Sequence, residues 1–456
     1  MCRIFNYKVT TRRQFKMKYV KSMIAVTATL TLAITGCSSG SGGGQPASAP
    51  AGNTAAPTGG SGTAPKMVRF SHSVTGAKGD IVNALVDEYN KSQSNYVVNA
   101  TFVPQNERLQ KITAEIAGGN PPELYTAGPP DLMALISFKA VASIDDLAKN
   151  AKTKITKEMF QPGLRGLIAK DGVLRAVPVE TSATGLYYNA DAFQAAGIAK
   201  APATWDELVD SAKKLTDPAK GKWGIVLPTT MEQYTGQIWL SFLTQAGGRL
   251  LSEDEKKAAF NSPEGEKALQ FWVDLINKYK VAPLQQLDAN QITQMYGTGT
   301  VGMMVSHPTW IEQSKTFPFK TATAKQPGDK QPGSTLGGWY ITVLEQGKNK
   351  EGAYDFLAWL TKPEHNVKWI TGMGSLPAQQ AIIDTKEYQD YVKSTPLVTP
   401  FNEALKSDVW TPPATGQYSA IVVTLSKAIN EALYQKSTPK EALNKAAVEV
   451  DKLLAK

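Results

Sequence analysis

The segment Val68-Arg-Phe-Ser-His72 has the pattern of a strand, and the residues after it alternate between helix and strand patterns. Apolar residues recur at helical spacing in the next segment, and Gly118-Gly119 is a typical helix stop. The four segments that follow predict helix, strand, helix and strand: Gly79–Ser92, Tyr96–Val103, Glu107–Ala117 and Pro122–Thr126. This order predicts an α/β fold, in which crossover helices connect the strands of a parallel sheet.

The carboxyl ends of these strands indicate where a ligand would bind, because open parallel sheets bind ligands beyond those ends. The ends fall at Ser71–Gly76, Pro104–Glu107 and Tyr125–Gly128. The polar residues expected to build the floor of such a site are Ser73, Thr75, Asn106, Tyr125 and Thr126.

Further along the chain the pattern predicts more strands and then a mostly helical end. Leu174–Val179 and Gly185–Asn189 have strand patterns, and Glu180–Thr184 separates them. Thr204 is expected to cap a helix. Strands are also predicted at Val301–Ser306 and Thr335–Val343, and the helical part begins at Lys350 and ends with 439–455.

The composition is that of a soluble globular protein. The chain has 456 residues, of which 42% are hydrophobic and 20% are charged. These values exclude a wholly disordered chain, collagen, a coiled coil and a multi-span membrane protein. The length allows two or three domains.

The net charge of +9 comes mostly from the first 36 residues, which hold seven basic residues and no acidic one. Without them, 42 basic residues face 40 acidic ones, so binding to nucleic acid is not expected. The two cysteines, Cys2 and Cys37, both lie near the N-terminus. A disulfide or a cysteine-ligated zinc site in the folded part is therefore excluded.

The N-terminal region has the features of an export signal. A basic segment, Met17–Lys21, precedes the apolar run Met23–Thr35, which is too short for a stable membrane span. The following Leu32-Ala-Ile-Thr-Gly-Cys37 resembles the lipobox of bacterial lipoproteins, which implies that Cys37 carries lipid after cleavage. A chance cysteine at the end of a signal peptide is the alternative.

Two further features of the export signal stay open. The signal is complete from Met17 onwards, so translation is a candidate to start there. Alternatively, 11–16 resembles a twin-arginine signal. Residues Ser38–Lys66 are rich in Gly, Ser, Ala, Pro and Thr and predict a disordered tether with a span of roughly 30 Å.

The motifs for cofactor, metal or catalytic chemistry are weak. The glycines of 297–302 match GxGxxG, but a helix pattern precedes them and a strand follows, the reverse of a dinucleotide site. His72, His307 and His365 lack ligand spacing, so neither a metal nor a cofactor is expected. His72 and His307 each end a predicted strand and are candidates for ligand contact.

The nine tryptophans carry more information, because aromatic faces stack on the apolar faces of sugar rings. Four lie in helix patterns and are expected to be structural: Trp205, Trp272, Trp359 and Trp369. Four lie in strand ends, loops or Gly-rich contexts and are candidates for ligand contact: Trp239, Trp310, Trp339 and Trp410.

Eight short segments together resemble the extracellular solute-binding proteins that serve ABC importers, the class that includes maltose- and glycerol-3-phosphate-binding proteins. The segments are Phe70–Gly76, Ala117–Leu124, Ala176–Asn189, Pro202–Leu208, Tyr296–Met303, Gly337-Gly338, Ala353–Leu357 and Ser375–Pro377. The resemblance covers essentially all of Met67–Lys456. It implies a two-lobed, type II-like periplasmic-binding-protein fold, with the ligand in a cleft that closes by hinge bending.

The same resemblance implies the domain boundaries. After the signal peptide (1–36) and the lipidated tether (37–66), it places 67–180 and 306–337 in the N-terminal lobe. It places 183–304 and 340–456 in the C-terminal lobe. The chain crossings then fall near 180–183, 305–307 and 337–340, and the ligand contacts expected there are Glu180, Ser182, Ser306, Gly338, Trp339 and Tyr340.

The functional hypothesis is a lipid-anchored receptor that delivers a carbohydrate to an ABC permease. It is expected to act without catalysis, as a monomer, at the cell surface or the periplasmic side of the membrane. A glycerol-3-phosphate or glycerophosphodiester receptor is the alternative. It is disfavoured because no arginine lies within ten residues of Val422, the position that matches the family's phosphate-binding arginine. A secreted glycoside-active enzyme is a remote alternative, since no acid/base pair stands out.

Overall fold

The computed structural model describes residues 64–74, 76–105, 107–169, 172–413 and 415–455. The expectations for the signal peptide, Cys37 and most of the tether therefore lie outside the described residues. So do two of the expected cleft residues, Thr75 and Asn106.

The α-helices that the structure describes are numbered along the chain. They are α1 (Ala77–Ser92), α2 (Arg108–Ala117), α3 (Pro129–Ser137), α4 (Ile144–Ala148), α5 (Pro162–Ile168), α6 (Ala190–Ala195), α7 (Trp205–Leu215), α8 (Gln233–Gln245), α9 (Pro263–Val273), α10 (Ala289–Gly297), α11 (Ile311–Ser314), α12 (Lys350–Leu360), α13 (Pro363–Met373), α14 (Gln380–Ile383), α15 (Lys386–Ser394), α16 (Thr399–Ser407), α17 (Tyr418–Leu433) and α18 (Pro439–Leu454).

The described strands are numbered in the same way. They are β1 (Lys66–His72), β2 (Tyr96–Phe102), β3 (Leu124–Ala127), β4 (Val177–Pro178), β5 (Ser182–Ala183), β6 (Gly185–Asn189), β7 (Trp223–Val226), β8 (Val301–Ser306), β9 (Thr321–Lys325), β10 (Ser334–Gly337), β11 (Tyr340–Val343) and β12 (Val409–Trp410).

The first sheet has five strands in the order β2-β1-β3-β11-β4. Strand β1 pairs in parallel with both β2 and β3, which confirms the parallel sheet predicted from the opening alternation. Helices α1 and α2 connect these strands, as expected. Strand β11 enters antiparallel between β3 and β4, so a late segment of the chain completes this sheet.

A second sheet has four strands in the order β7-β8-β6-β9, and a small third sheet joins β12, β10 and β5. The apolar faces of the sheets contribute to two hydrophobic clusters. One is built around β1, β3 and β11, and the other includes Leu186 of β6, Ile225 of β7 and Met303 of β8. The α/β class is confirmed.

The sheet pairing differs from the expected domain boundaries at two places. Strand β9 pairs with β6 in the four-stranded sheet, although 306–337 was expected in the N-terminal lobe. Strand β11 belongs to the five-stranded sheet, although 340–456 was expected in the C-terminal lobe. Helix α12 also lies with the five-stranded sheet and its helices, because Tyr89 of α1 donates a 2.6 Å hydrogen bond to Asp355 of α12. Strand partners this distant in sequence have no local signature.

Most predicted elements are found within a few residues of their expected bounds, with two exceptions. Only Val177–Pro178 of the predicted strand Leu174–Val179 pairs in a sheet. The predicted strand Thr335–Val343 is two strands in two sheets, because the chain turns at Gly338, whose φ is 117°. Thr204 caps α7 as expected, and its hydroxyl accepts a 3.2 Å hydrogen bond from the Glu207 amide.

Two further observations concern membrane-spanning helices and metal sites. Within the described residues, no helix combines the length and the apolar character that crossing a bilayer requires. The same residues contain no group of three or more His, Cys, Asp or Glu side chains arranged to hold a metal ion.

Candidate ligand-binding site at the chain crossings

Three segments that are far apart in sequence meet where the chain passes between the two larger sheets. Strand β5 pairs antiparallel with β10, which places Ser182 opposite Gly337. A 3.1 Å hydrogen bond joins the Ser182 hydroxyl to Nδ1 of His307, directly after β8. The expected crossings near 180–183, 305–307 and 337–340 are therefore in mutual contact.

Glycine is required where the third segment passes the other two. A Cβ on Gly337 would lie 2.5 Å from the Ser182 hydroxyl and 3.2 Å from the His307 ring. A Cβ on Gly338 would lie 2.7 Å from the carbonyl oxygen of Glu180. The positive φ of Gly338 adds a second reason, since residues with a Cβ rarely adopt it.

Glu180 is buried at the first crossing. Its carboxylate accepts a 2.9 Å hydrogen bond from the indole nitrogen of Trp369 on α13. Burial raises the pKa of Glu180, whereas the hydrogen bond from Trp369 and the nearby charge of Lys78 oppose that shift. The Lys78 amine donates a 2.9 Å hydrogen bond to the Thr309 carbonyl, so it connects α1 to the segment after the second crossing.

His307 is held in its uncharged form. Burial lowers its pKa to about 4. The Tyr187 hydroxyl donates a 2.7 Å hydrogen bond to the backbone carbonyl of His307, and the Tyr234 ring centroid lies 6.5 Å from that of the imidazole. The neutral imidazole, hydrogen-bonded to Ser182, connects the first and second crossings without placing a charge there.

The carboxyl edge of the five-stranded sheet presents buried hydroxyls that have no hydrogen-bond partner in the described part of the chain. They belong to Ser73, Tyr125 and Thr126. All three residues are less than a tenth exposed. A buried hydroxyl without a partner costs about 1–3 kcal/mol, so such groups are rare unless something else binds them. Contact of these three residues with a ligand stays a prediction.

An ion pair that the sequence did not reveal lies near the Tyr125 hydroxyl. Nε of Arg108, the first residue of α2, donates to the carboxylate of Asp131 in the first turn of α3. The guanidinium carbon lies 4.9 Å from the ring centroid of Trp339. Burial raises the pKa of Tyr125 and the charge of Asp131 raises it further, whereas Arg108 lowers it by its charge and by its approach to the hydroxyl, so the tyrosine lies near both charges.

Arg108 and Asp131 were missed for a simple reason. Both follow strand ends that were named, Pro104–Glu107 and Tyr125–Gly128, by only a few residues. They then fall in the first turns of the next helices, where an acidic residue such as Asp131 is ordinarily explained by the helix dipole. A predicted ligand edge that includes the first helical turn after each strand end contains both residues.

The expected aromatic contacts divide into two groups. Trp310 and Trp339 are half-buried beside the crossings, in contact with the first hydrophobic cluster. Trp239 and Tyr340 are fully buried. Trp239 is part of the second hydrophobic cluster, and the Tyr340 hydroxyl donates to the Gly337 carbonyl at 3.5 Å. Neither ring exposes a face for stacking, which differs from the expectation that both contact the ligand.

The remaining candidates have clear positions. The Ser306 hydroxyl at the end of β8 lies 3.2 Å from the Tyr234 hydroxyl, so Ser306 is at the second crossing as expected. His72 ends β1, and burial lowers its pKa. The GxGxxG motif lies between helix α10 and strand β8, which confirms the order that argued against a dinucleotide site.

Comparison with known proteins shows the class. A sequence profile described as bacterial extracellular solute-binding protein matches residues 84–396. The chain belongs to this family, and its fold is the two-lobed fold of its solved members. It is 27% identical over 420 residues to the sn-glycerol-3-phosphate-binding periplasmic protein UgpB of Escherichia coli K12, covering 85% of this chain and 92% of that protein.

Two solved structures are similar across the folded part. One is the cyclic α-maltosyl-1,6-maltose binding protein of Arthrobacter globiformis, with a TM-score of 0.75 and 28% identity over 86% of this chain and 99% of that chain. The other is an ABC transporter solute-binding protein of Thermotoga lettingae bound with α-D-tagatose. Its TM-score is 0.75 and its identity 26%, over 85% of this chain and 100% of that chain.

Proposed function

We propose that this protein is the substrate-binding lipoprotein of an ABC importer and that it captures a sugar or oligosaccharide for a membrane permease. The observation that supports a carbohydrate ligand is the group of buried hydroxyls of Ser73, Tyr125 and Thr126, which make no hydrogen bond of standard geometry within the described residues, together with the half-buried ring of Trp339. Hydroxyl groups of a sugar both donate and accept hydrogen bonds, so they match such an edge.

The charges near the crossings support a neutral ligand. Lys78 interacts with Glu180 and Glu312, and Arg108 forms an ion pair with Asp131. Arg108 is therefore in direct contact with a carboxylate, and the charge of Lys78 is influenced by two carboxylates. A phosphate ester would have to compete with those carboxylates, whereas a neutral sugar would not.

Hinge bending at the three crossings is the motion that we propose for ligand entry and release. The crossings are narrow, since Gly337 and Gly338 bring backbone and side chains of the other segments into contact. Buried polar atoms at the sheet edge then become accessible when the lobes separate, and a bound ligand satisfies them when the lobes close.

The ligand contacts that we propose combine the expected residues that fit this edge with the pair found in the structure. They are Ser73, Thr75, Asn106, Tyr125, Thr126, Glu180, Ser182, Ser306, Trp310, Gly338 and Trp339, with Arg108 and Asp131. Ser182 and Glu180 have protein partners here, so their contact with ligand accompanies a change at the crossings.

A glycerol-3-phosphate or glycerophosphodiester receptor is the second candidate. The similarity to UgpB of Escherichia coli favours it. The compensated charges of Lys78 and Arg108 argue against it. We also propose that the protein has no catalytic activity, in keeping with a family of solute-binding proteins.

A location at the membrane surface is part of the proposal. Lipid on Cys37 would hold the protein at the outer face of the cytoplasmic membrane, and residues 38–66 would give the folded part its reach. This proposal concerns residues outside those that the structure describes.

A thermal-shift screen tests the proposal. A ligand that binds only the folded protein raises its melting temperature by mass action. The panel contains sugars, including α-D-tagatose and maltose oligomers, together with polyols and sn-glycerol-3-phosphate. A shift with a sugar supports the carbohydrate. A shift with the phosphate ester alone establishes the second candidate instead, and cleavage of an oligosaccharide during incubation would reveal an enzyme.

A further inference from the structure

The guanidinium of Arg108 has donor capacity beyond its ion pair with Asp131. Arg108 is 7% exposed, Asp131 is 3% exposed, and the ion pair uses Nε of the guanidinium. Nη1 of Arg108 is buried and has no hydrogen-bond partner in the described residues. A guanidinium nitrogen can only donate, and the described oxygen that interacts with this guanidinium outside the ion pair is the Tyr125 hydroxyl, which makes no hydrogen bond of standard geometry with it. Nη1 can therefore donate to an oxygen of a ligand that lies beside Tyr125.

The surroundings of Arg108 keep its guanidinium in place. The ring of Trp339 lies on one side, with a centroid 4.9 Å from the guanidinium carbon. Gly128 lies on another, where a Cβ would approach Nη2 to 3.3 Å. Trp339 of the third crossing thus contacts Arg108, a charged residue near the carboxyl edge of the five-stranded sheet.

We propose that Arg108, with its charge compensated by Asp131, is a specificity-determining residue that binds a neutral hydroxyl oxygen and excludes phosphate. This inference rests on the proposed function, because it assigns a selective role within the same cleft. A hydroxyl oxygen accepts from Nη1 without bringing charge. A phosphate brings one or two negative charges close to the Asp131 carboxylate, and in a buried site that repulsion is weakly screened.

Other charged groups also disfavour the binding of a phosphate. Lys78 is the second cation near the crossings, and Glu180 and Glu312 both act on it. Removing the carboxylate of Asp131 should therefore convert the edge from one that rejects anions into one that binds them. A buried arginine without a carboxylate is a strong site for phosphate, since its donors match phosphate oxygens.

The test compares the full-length wild type with Asp131→Asn. Inorganic phosphate and sn-glycerol-3-phosphate are the probes, and calorimetric titration and melting temperature are the measurements. We expect each probe to bind Asp131→Asn at least tenfold more tightly than wild type and to raise its melting temperature. Asp131→Ser, which has a smaller side chain, replaces Asp131→Asn if that variant does not fold.

The matched control is Glu123→Gln. It removes the carboxylate from a second arginine pair, in which Nη2 of Arg69 lies 3.3 Å from Oε1 of Glu123. Arg69 also donates to backbone carbonyls of Asn120 and Pro121, so its position does not depend on a ligand. This variant should gain no affinity for either probe. The double variant Arg108→Gln/Asp131→Asn should lose the gain seen in Asp131→Asn.

Two results would overturn the proposal. In one, folded Asp131 variants bind phosphate no better than wild type. In the other, wild type binds sn-glycerol-3-phosphate tightly and Arg108→Gln abolishes that binding, which would make Arg108 a phosphate ligand. The sugar panel is read separately. Failure of every sugar in wild type would count against the proposed carbohydrate, whatever the Asp131 variants do with phosphate.

Discussion

The indole nitrogen of Trp369 donates a 2.9 Å hydrogen bond to the carboxylate of Glu180, so a residue of helix α13 holds the acid at the first crossing. Both side chains are buried. The Ser182–His307 hydrogen bond lies two residues further on and ties the first crossing to the second. The crossings therefore contain one buried acid, Glu180, and one buried base, His307. Burial raises the pKa of the acid and lowers the pKa of the base.

The raised pKa of Glu180 predicts a pH effect on stability. Its ordinary value is 4.5, and burial moves it upward in the folded state. The folded protein therefore holds this proton more tightly than the unfolded chain, and its contribution to stability is lost as pH rises above about 4.5 through the folded-state value. Glu180→Gln keeps an oxygen for Trp369 but does not titrate. We expect thermal denaturation across pH 4–8 to show a smaller loss of stability with rising pH in this variant; an unchanged profile would contradict the assignment.

His307 predicts the opposite dependence. Its ordinary pKa is 6.5, and burial lowers the folded-state pKa to about 4. The unfolded chain takes up the proton first, so the contribution is present above pH 6.5 and is lost as pH falls towards 4. His307→Gln should lose less stability between pH 6.5 and 4 than wild type. His72→Gln, whose pKa is also lowered by burial but which lies at the end of β1, gives a comparison at the sheet edge. Equal acid sensitivity of wild type and His307→Gln argues against the shift.

Gly338 is expected to be intolerant of any side chain. Alanine there meets both a φ of 117° and a carbonyl oxygen 2.7 Å from its Cβ. Gly338→Ala should lower the free energy of unfolding by about 2–4 kcal/mol, measured by urea denaturation. Gly374→Ala is the control, since Gly374 has a φ of 65° and no neighbour closer than 3.8 Å. The control should lose only about 1–2 kcal/mol. Similar losses in both variants would mean that the close approach at Gly338 is unimportant.

Trp310 and Trp339 are expected to act on affinity. Both are half-buried beside the crossings. Losing an aromatic platform should weaken sugar binding by about 1–3 kcal/mol, roughly ten- to hundredfold. Fluorescence titration of Trp310→Ala and Trp339→Ala, with the sugar that gives the largest thermal shift, measures this. Trp239→Phe is the control, because Trp239 is fully buried in the second cluster and should affect stability alone. If both alanine variants bind the sugar with full affinity, these rings do not act as a stacking platform.

Cys37 is expected to carry the lipid. Cys37→Ala should abolish incorporation of a labelled fatty acid and leave the protein unprocessed or released from membranes. Cys2→Ala, which removes the other cysteine of the chain, should keep the label. Label that persists in Cys37→Ala would exclude this residue as the anchor.

Local patterns predicted the elements well because strands and helices have their own periodicities. The strand–helix alternation from Val68 to Thr126 predicted the parallel part of the first sheet. The pairing of β11 between β3 and β4 was not predictable, since its partners in β3 lie more than 200 positions away and those in β4 more than 160 positions away. A buried apolar strand such as 340–343 fits either sheet equally well by its pattern.

The site was predictable to the extent that it follows from strand ends. Ser73, Tyr125 and Thr126 could be proposed from the sequence because Ser73 directly follows β1 and the other two lie in the short strand β3. Arg108 and Asp131 were not found, because their pairing depends on how α2 and α3 are placed. Trp239 is the opposite case. Its sequence context shows no clear helix pattern and predicts ligand contact, but the residue is part of α8 and is buried.

The late entry of β11 has a consequence for how this chain matures. The strand that sits between β3 and β4 lies at residues 340–343, so a ribosome has made three quarters of the chain before the five-stranded sheet has all its members. A nascent chain that ends earlier exposes the unpaired edge of β3, which favours a holding chaperone over early folding. A chain truncated before residue 340 lacks β11, so we expect its first sheet to be less stable than that of the full chain.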